Sequence, residues 1–420
     1  PFFLEGAEIF SMSGPVTFVH TRTIVDPDYG GKITGKIGKA QVGLLVANDA
    51  APGNLDTVSD PLYGQSANVL IGRARYDLYS ESHIGAIFTN RDFLDSYSRL
   101  GGIDGNFRIN RTQSFGFRAI QTEHQDLDQI QSSGQMFDVN YRMNSRHWNT
   151  FVSGYTLSPD FKTDIGFIRR TDQKRVSSSV GYRFWPESWI LNWGPRFNYA
   201  RNWNFNDIFE DENARFGIRA SFAKNISLNV DVRRDMERFA GVDFDKTAYS
   251  FGGSVNTSRK YAFGGFYRYG DEIRYSATPF LGRGASGSIF ASVRPMPRFQ
   301  SELNLNTSRL IDLRNPDELV FDVKIVRTLA TYQLTDRLLL RNITEYNTFQ
   351  KTVGLNVLTT YRVNAGTVFF IGYDDHYQQS DLLYADVDGD GLSDQMFPQD
   401  MTLRRTNRAF FTKLQYLFRY

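Results

Sequence analysis

The sequence contains no cysteine and no long apolar run, and it has little net charge. The absence of cysteine excludes disulfide bonds, but it suits an exported barrel and many cytosolic proteins equally. No stretch of about 18 apolar residues occurs, so the chain has no transmembrane helix. The mean hydropathy of −0.41 does not exclude membrane-crossing strands, because such strands show lipid only every second side chain.

The charged and aromatic residues are more informative. The net charge is only +2, which excludes a polybasic nucleic-acid binder. Arginine outnumbers lysine by 37 to 11, and guanidinium groups pair laterally with carboxylates in a water-filled or salt-bridged interior. Phe, Tyr and Trp make up 15% of the chain, as expected where aromatic girdles mark two membrane interfaces. The alternative is an aromatic-rich soluble β protein.

Apolar and polar residues alternate along most of the chain. Ile226, Leu228, Val230 and Val232 alternate with Ser227, Asn229, Asp231 and Arg233. A period of two places the two sets on opposite faces of a strand. The pattern predicts 22 strands, within a range of 20 to 24: 16–24, 30–38, 40–48, 66–77, 83–94, 100–109, 112–123, 134–143, 147–157, 174–185, 188–204, 213–223, 225–238, 244–257, 260–275, 284–294, 298–308, 319–334, 337–350, 352–363, 366–378 and 405–420.

The links between these segments predict the architecture. Short turns, such as the one at Lys224-Asn225, alternate with long polar links at 49–65, 124–133, 204–212, 309–318 and 379–403. This layout, with short periplasmic turns and long extracellular loops, is that of an all-β, transmembrane, antiparallel outer-membrane β-barrel. The barrel is expected over 16–420, with 158–172 as an extracellular or inward-folded loop. Residues 1–15 are too apolar for a free tail and are expected to pack at the periplasmic base or in the lumen.

The two ends of the sequence carry further expectations. The last strand presents an apolar ribbon and closes on an aromatic residue, which resembles the assembly signal of Gram-negative outer-membrane barrels. In a closed barrel this strand would pair with the first strand, near 16–24. The chain opens on Pro1 without a signal peptide, so a longer precursor is expected. The residues of the expected assembly signal are Phe410, Leu414, Tyr416, Phe418 and Tyr420.

Three motifs together resemble an uncharacterised family of bacterial outer-membrane proteins. They are Pro1-Phe2-Phe3-Leu4-Glu5-Gly6, Gly166-Phe167-Ile168-Arg169-Arg170-Thr171-Asp172 and the ending Phe411-Thr412-Lys413-Leu414-Gln415-Tyr416-Leu417-Phe418-Arg419. In that family a barrel follows an N-terminal β-sandwich similar to carbohydrate-binding module family nine. The resemblance implies a barrel fold and a sandwich domain upstream of Pro1, and it implies no activity.

An acidic motif near the end of the chain is the sharpest local signal. Asp386, Asp388, Asp390 and Asp394 surround a glycine at the spacing of a calcium loop, and the Leu392 carbonyl falls at the backbone-ligand position. Phe397 occupies the place of the usual bidentate acid, so the motif resembles the shorter calcium loops of thrombospondin-like repeats. One interpretation is Ca²⁺ bound in loop 386–394, with divalent ions bridging to lipopolysaccharide phosphates. The other is a solvated acidic turn without metal.

The polar alternate positions predict a lumen lining that passes or binds solutes. Charged pairs that only stiffen the wall are an equal alternative. The lumen itself would be open, filled by loops, or plugged by an upstream domain. The predicted lining residues are Arg215, Arg219, Asp231, Arg233, Arg268, Lys413, Gln415 and Arg419.

An enzyme is the least favoured class. Ser82 and His83 are adjacent on a strand and point to opposite faces, so they make a poor dyad, and His376 follows Asp374-Asp375, where it could join a metal site. The sequence therefore predicts an outer-membrane channel or translocation pore for sugar-like or anionic solutes. The alternative is a scaffolding barrel, and an outer-membrane hydrolase comes third. Expected partners are outer-membrane lipid, lipopolysaccharide, the barrel-assembly machinery, and periplasmic or surface proteins; nucleic acid is not expected.

Overall fold

The protein is all-β in its computed structural model, which describes residues 7–12, 14–315, 318–364, 366–379, 383–385, 394–396 and 403–417. Within these residues the helical segments are three 3-10 turns, Ala7–Phe10, Thr21–Thr23 and Ala51–Gly53. No helix in the described part of the chain is long and apolar enough to cross a membrane.

Twenty-one strands form one antiparallel sheet. They are β1 (Pro27–Ile37), β2 (Ala40–Asp49), β3 (Ala67–Asp77), β4 (His83–Phe93), β5 (Ser96–Arg108), β6 (Gln113–Gln125), β7 (Gln131–Asn144), β8 (Trp148–Leu157), β9 (Gln173–Tyr182), β10 (Ile190–Trp203), β11 (Phe209–Phe222), β12 (Ile226–Phe239), β13 (Val242–Val255), β14 (Tyr261–Arg274), β15 (Phe280–Met296), β16 (Phe299–Asp312), β17 (Leu319–Gln333), β18 (Leu338–Asn347), β19 (Thr352–Asn364), β20 (Thr367–Gln379) and β23 (Leu403–Tyr416). In the ladders from β1 to β10 and from β13 to β20, each strand pairs with its neighbour in the chain, and β20 pairs with β23. A separate hairpin consists of β21 (Leu383–Ala385) and β22 (Asp394–Met396).

Each of the 21 strands corresponds to a predicted one, and the one wrong strand prediction is 16–24. This segment makes an isolated β-bridge from Thr17 to Phe167 in the 158–172 link, and it then turns into the 3-10 helix at Thr21–Thr23. Its alternation arises because Val16 and Phe18 are buried against a face of the sheet. An extended segment with one buried side has the same period as a strand. The expected pairing of the last strand with 16–24 is therefore wrong as well.

The sheet has two chemically different faces. On β12, Leu228, Val230 and Val232 are exposed, whereas Asp231 and Asp235 on the opposite face are buried. We call the face with exposed apolar side chains the apolar face and the other the lining face. An apolar face exposed over so many strands matches hydrocarbon rather than water as its solvent.

The turns follow the predicted layout only in part. Short links occur at 38–39 and 223–225 as expected, and the one expected at 295–297 lies at 297–298. Lys224 and Asn225 both adopt positive φ, at 63° and 55°. Two links on the side expected to carry long loops are just as short, however. They are the two-residue turns at 94–95 and at 240–241, the second with Gly241 at φ 78°. The second is short because β12 ends one residue later, and β13 begins two residues earlier, than their alternation predicts.

The chain divides into two compact units. Unit 1 comprises 1–183, 196–215 and 235–238. In this unit, two segments outside the sheet pack on the lining face of β2 to β8: the N-terminal segment 7–24 and the 158–172 link. Phe10 and Ile165 contact Leu45 and Ile71 in one apolar cluster. A second cluster contains Val16, Phe18, Ile87, Leu100, Ile120, Met136, Leu157 and Phe161. Of the two interpretations of the 158–172 link, the inward-folded one is confirmed.

A glycine lets the 158–172 link approach the sheet closely. A Cβ atom at Gly134 on β7 would collide with the backbone of Phe161. A strand glycine at such a point marks close backbone approach. The side chain of Phe161 is only 2% exposed, so the link forms part of the core of unit 1.

Unit 2 comprises 184–195, 216–234 and 239–420. Its described ladders keep a continuous register through β18, which pairs with β17 and β19 without a bulge. Leu339, Arg341, Ile343 and Glu345 therefore lie together on one face of β18, which mixes apolar and charged side chains and does not alternate cleanly.

Candidate functional site

The lining face of unit 1 carries a ladder of charged side chains, and its first rung joins β3 to β5. Arg73 donates two hydrogen bonds to the Asp104 carboxylate, at 2.6 and 2.9 Å. The guanidinium crosses the intervening strand β4 at Gly85. A Cβ at that position would lie 2.7 Å from Arg73 Nη1 and 2.8 Å from Asp104 Oδ1. The absence of a side chain at Gly85 is therefore what allows the pair to form.

The second rung joins β6 to β7. Arg118 forms an ion pair with Asp138, and both side chains are at most 10% exposed. Because Arg118 lies directly opposite Asp104 in the register of β5 and β6, the two rungs adjoin one another. Buried charges persist only when they are paired in this manner.

Further polar groups lie at the same end of the strands. His83 Nε2 lies 3.7 Å from Asp104 Oδ2, and Lys36 Nζ lies 2.6 Å from Asp77 Oδ2. Arg75 also contacts Asp77, at 3.1 Å. The wall is thus lined with donors and acceptors that water or a hydrophilic solute can contact.

These groups surround a cavity of about 600 Å³ between the sheet and the N-terminal segment. Glu8, Ile9, Ser11 and Met12 cover it from the segment side. Gly14 lies close to Arg118, since a Cβ there would be 2.8 Å from its Nη1. The remaining lining groups belong to the sheet: Thr34, Gly35, Lys36, Gln41, Arg73, Arg75, His83, Asp104, Gly105, Asn106, Gly116, Phe117, Arg118 and Asn140.

The charges of the site nearly cancel. Its lining holds four basic groups, Lys36, Arg73, Arg75 and Arg118, but only two carboxylates, Glu8 and Asp104. The balance is reached because Asp77 and Asp138, which lie outside the lining, pair with three of these cations. A cavity without net charge does not concentrate ions of one sign. Its many hydrogen-bonding groups suit an uncharged, hydroxyl-rich solute better than an anion. The donors available to such a solute are the exposed ones, since the Nε of Arg73 is buried and has no hydrogen-bond partner.

A second polar cluster holds the 158–172 link in place. The backbone N–H of Asp164 donates to Ser98 Oγ at 3.0 Å. The Asp164 carboxylate lies 3.7 Å from His124 Nε2 and 3.8 Å from an Arg91 nitrogen. Partly exposed ion pairs of this length contribute little stability each, so the apolar contacts of Phe161 and Ile165 dominate the docking of the link.

The sequence-predicted lining residues of β11, β12 and β14 lie on the lining face. Arg219 is exposed on β11, and Asp231 is buried against Gly217, where a Cβ would collide with its carboxylate. Arg233 shares the face of Asp231, and Arg268 pairs with Glu272 at 3.3 Å. In unit 1, Arg215 is half-buried on β11.

The predicted residues of the last strand are only partly described. Lys413 and Gln415 lie opposite Phe370 and Val368 of β20, and both are exposed. On the other face of β23, the predicted assembly residues Phe410, Leu414 and Tyr416 are 69%, 65% and 59% exposed. Phe418, Arg419 and Tyr420 lie outside the described residues.

The calcium motif also lies outside the described residues, apart from the backbone of Asp394 at the start of β22. Asp386, Asp388, Asp390 and Leu392 are therefore not placed. In the part of the chain that is described, no group of three or more His, Asp or Glu side chains could hold a metal ion.

Among the described residues, neither His83 nor His376 forms a nucleophile–base pair. The Ser82 hydroxyl accepts a hydrogen bond from the Arg108 N–H at 2.8 Å, while the His83 ring faces Asp104. His376 contacts the Asp374 carboxylate at 3.0 Å, so its neighbour is an acid rather than a nucleophile.

Sequence reasoning missed the charged ladder of unit 1. The available signals were Arg73 and Arg75, which continue the alternate positions of Val69 and Ile71, and Gly85 inside a strand. Neither signal reveals that Asp104 lies two strands away from Arg73. That distance depends on the register of β3, β4 and β5.

Comparison with known proteins places the fold but no family. No family model matches the sequence, and no curated protein matches it. Among solved structures, the copper transporter OprC is similar with a TM-score of 0.52 and 10% identity, over 92% of this chain and 77% of that chain. A mutant ferric enterobactin receptor from Pseudomonas aeruginosa, in complex with enterobactin, gives a TM-score of 0.50 and 9% identity, over 96% and 80%. The fold class is that of outer-membrane β-barrels; at this identity the similarity extends to the fold alone.

Proposed function

We propose that the protein is an outer-membrane transport barrel of a Gram-negative bacterium that admits hydrophilic, sugar-like solutes. The observation that carries this proposal is the cavity of about 600 Å³, lined by hydrogen-bonding groups, in which each Lys and Arg side chain pairs with a carboxylate. The similarity to a copper transporter and a ferric enterobactin receptor supports a transport role, but this lining differs from a metal-binding site. Of the two expected solute classes, anionic solutes are less favoured than sugar-like ones, because each cation near the cavity has a carboxylate partner.

Passage along the lining face of unit 1 requires that the N-terminal segment and the 158–172 link move. Both segments are anchored by buried apolar side chains, Phe18 and Phe161 above all. We therefore expect the resting protein to conduct poorly, and we expect openings to be rare and solute-sized.

Conductance in planar bilayers tests the proposal. The unaltered protein is compared with the Phe161→Ala variant, which loosens the 158–172 link but leaves the charged ladder intact. A higher open frequency in the variant, with larger current block by neutral oligosaccharides than by small anions, is expected. If neither protein conducts and a stable partner co-purifies, the result would favour a scaffolding barrel that anchors proteins at the outer membrane.

Three further assignments belong to the same proposal. A β-sandwich similar to carbohydrate-binding module family nine would deliver sugars from the periplasmic side. The apolar face of β23 would be recognised by the barrel-assembly machinery, since Phe410 and Leu414 are exposed there. Loop 386–394 would bind Ca²⁺ weakly and, through divalent ions, lipopolysaccharide phosphates. The rim around the loop would also be the place for surface protein partners.

A further inference from the structure

A groove on the apolar face of unit 2 is separate from every residue discussed for solute passage. Its volume is about 610 Å³, and it runs across strands β12 to β16. Its floor contains Gly253, Gly265 and Gly287; the first two lie directly opposite each other, and Gly287 pairs with Tyr267. Without Cβ atoms, these positions keep the floor low and let the walls lie close to it: a Cβ at Gly253 would be 2.7 Å from Leu228 Cδ2, and one at Gly287 would be 3.2 Å from Tyr267 Cδ2. Its walls are Leu228, Phe251, Phe263, Tyr267, Ile289 and Leu305.

The chemistry of the groove fits a hydrocarbon chain. Phe251, Phe263 and Ile289 each expose about half of their surface on the face that an outer-membrane barrel presents to lipid. At roughly 30 Å³ for each water-sized group, the groove accommodates about twenty methylene groups. Its occupant is therefore of the size of one long acyl chain.

Basic residues cluster at the end of the groove. The links 223–225, 256–260 and 297–298 lie at the same end of their strands, and the groove residues Val255 and Phe263 flank the second of them. These links carry Lys224, Arg259, Lys260 and Arg298, and all four side chains are exposed.

No acidic residue occurs in the three links. Exposed Lys and Arg at the membrane surface attract anionic lipid headgroups. The links between β11 and β20 at this end of the strands are at most five residues long, whereas the opposite side carries the long 380–402 link between β20 and β23. In this fold class the side without long loops is the periplasmic side. The leaflet on that side consists of phospholipid, so lipopolysaccharide is not the occupant that this position favours.

We propose that the groove and the three basic links bind one anionic phospholipid, with an acyl chain along the glycine floor and the phosphate against the links. The site needs only the membrane placement of the barrel and is independent of which solute the barrel carries. The lipid fills a gap in the apolar face that side chains leave open.

The experiment measures lipid retained by the purified, refolded full chain in detergent, using native mass spectrometry. The probes are phosphatidylglycerol and phosphatidylcholine with identical palmitoyl and oleoyl chains. We expect phosphatidylglycerol to bind at least fivefold more tightly. Equal binding of the two lipids, or preferential binding of lipopolysaccharide over phosphatidylglycerol, overturns the proposal.

Two variants separate the headgroup from the chain. Lys224→Gln/Arg259→Gln/Lys260→Gln should remove the fivefold preference, whereas the matched control Arg274→Gln/Arg309→Gln, at the opposite ends of β14 and β16, should keep it. If the control variant loses the preference for phosphatidylglycerol to the same extent, the preference comes from the overall charge of the protein, and the proposed site is wrong.

The chain-binding part has its own test. Thr307 lines the groove, so Thr307→Trp should weaken both lipids by filling the space. Should that variant not fold, dihexanoyl phosphatidylglycerol on the unaltered protein replaces it, and we expect at least tenfold weaker binding than for the long-chain lipid. Equal binding of short and long chains refutes an acyl-chain groove.

Discussion

Removing one partner of the Arg73–Asp104 pair should destabilise unit 1 more than removing both. The pair makes two hydrogen bonds of 2.6 and 2.9 Å, and its side chains are only 3% and 10% exposed. Asp104→Asn leaves a buried guanidinium without its counter-charge, at a cost of about 3–5 kcal/mol in the free energy of unfolding. Replacing both groups, as in Arg73→Met/Asp104→Leu, removes the desolvation penalty together with the attraction. That double variant should lie within about 1 kcal/mol of the unaltered protein or exceed its stability.

The assay is urea unfolding of the reconstituted protein in lipid vesicles, in which Arg73→Met, Asp104→Leu and their double variant form a mutant cycle and Asp104→Asn is measured beside them. The matched control is Lys36→Met, because Lys36 and Asp77 form an ion pair whose side chains are 50% and 28% exposed. An exposed pair contributes only about 0–1 kcal/mol. A cost for Asp104→Asn no larger than that of Lys36→Met would refute the argument that burial makes this pair critical.

Four other outcomes are expected. Gly85→Val should cost about as much as Asp104→Asn, because a side chain there blocks the path of the guanidinium; unfolding measured beside Gly154→Val, where the nearest atom to a new Cβ is 3.8 Å away, checks this. Phe161→Ala should lower the free energy of unfolding by about 3–5 kcal/mol in the same assay, and an unchanged value would show that the link is not part of the core. Phe410→Asn/Leu414→Asn should reduce the folded, heat-resistant fraction on gels after assembly into membranes, since it places amides on an apolar face; normal insertion contradicts the role given to β23. Calcium titration by calorimetry should distinguish unaltered protein from Asp388→Asn/Asp390→Asn, and identical curves would leave the motif without metal.

The period of two in the sequence predicts most of the fold. Alternation in segments such as Ile226–Phe239 indicates the strands and identifies which side chains share a face, because adjacent side chains in a strand must point in opposite directions. The same rule misassigns 16–24, since Val16 and Phe18 alternate for burial against the sheet rather than for pairing within it. Length and period do not distinguish a strand from an extended segment that packs on one.

The candidate site was harder to predict from the sequence than the fold. Alternation indicated that Asp231 and Arg268 belong to the lining face, but the ladder of Arg73, Asp104 and Arg118 was not identified. These residues are separated by 31 and 14 positions, and only strand register brings their charges together. The lipid groove also depends on strand register. Its floor glycines lie in three separate strands and form a continuous floor only when Gly253 pairs with Gly265.

The sequence by itself thus determined the β architecture and the two faces of the sheet, because both follow from local alternation. Tertiary structure alone decided where the 158–172 link lies and which charges meet in unit 1. Those features depend on contacts between residues far apart in the chain, and one residue of register shift would turn every such side chain to the other face.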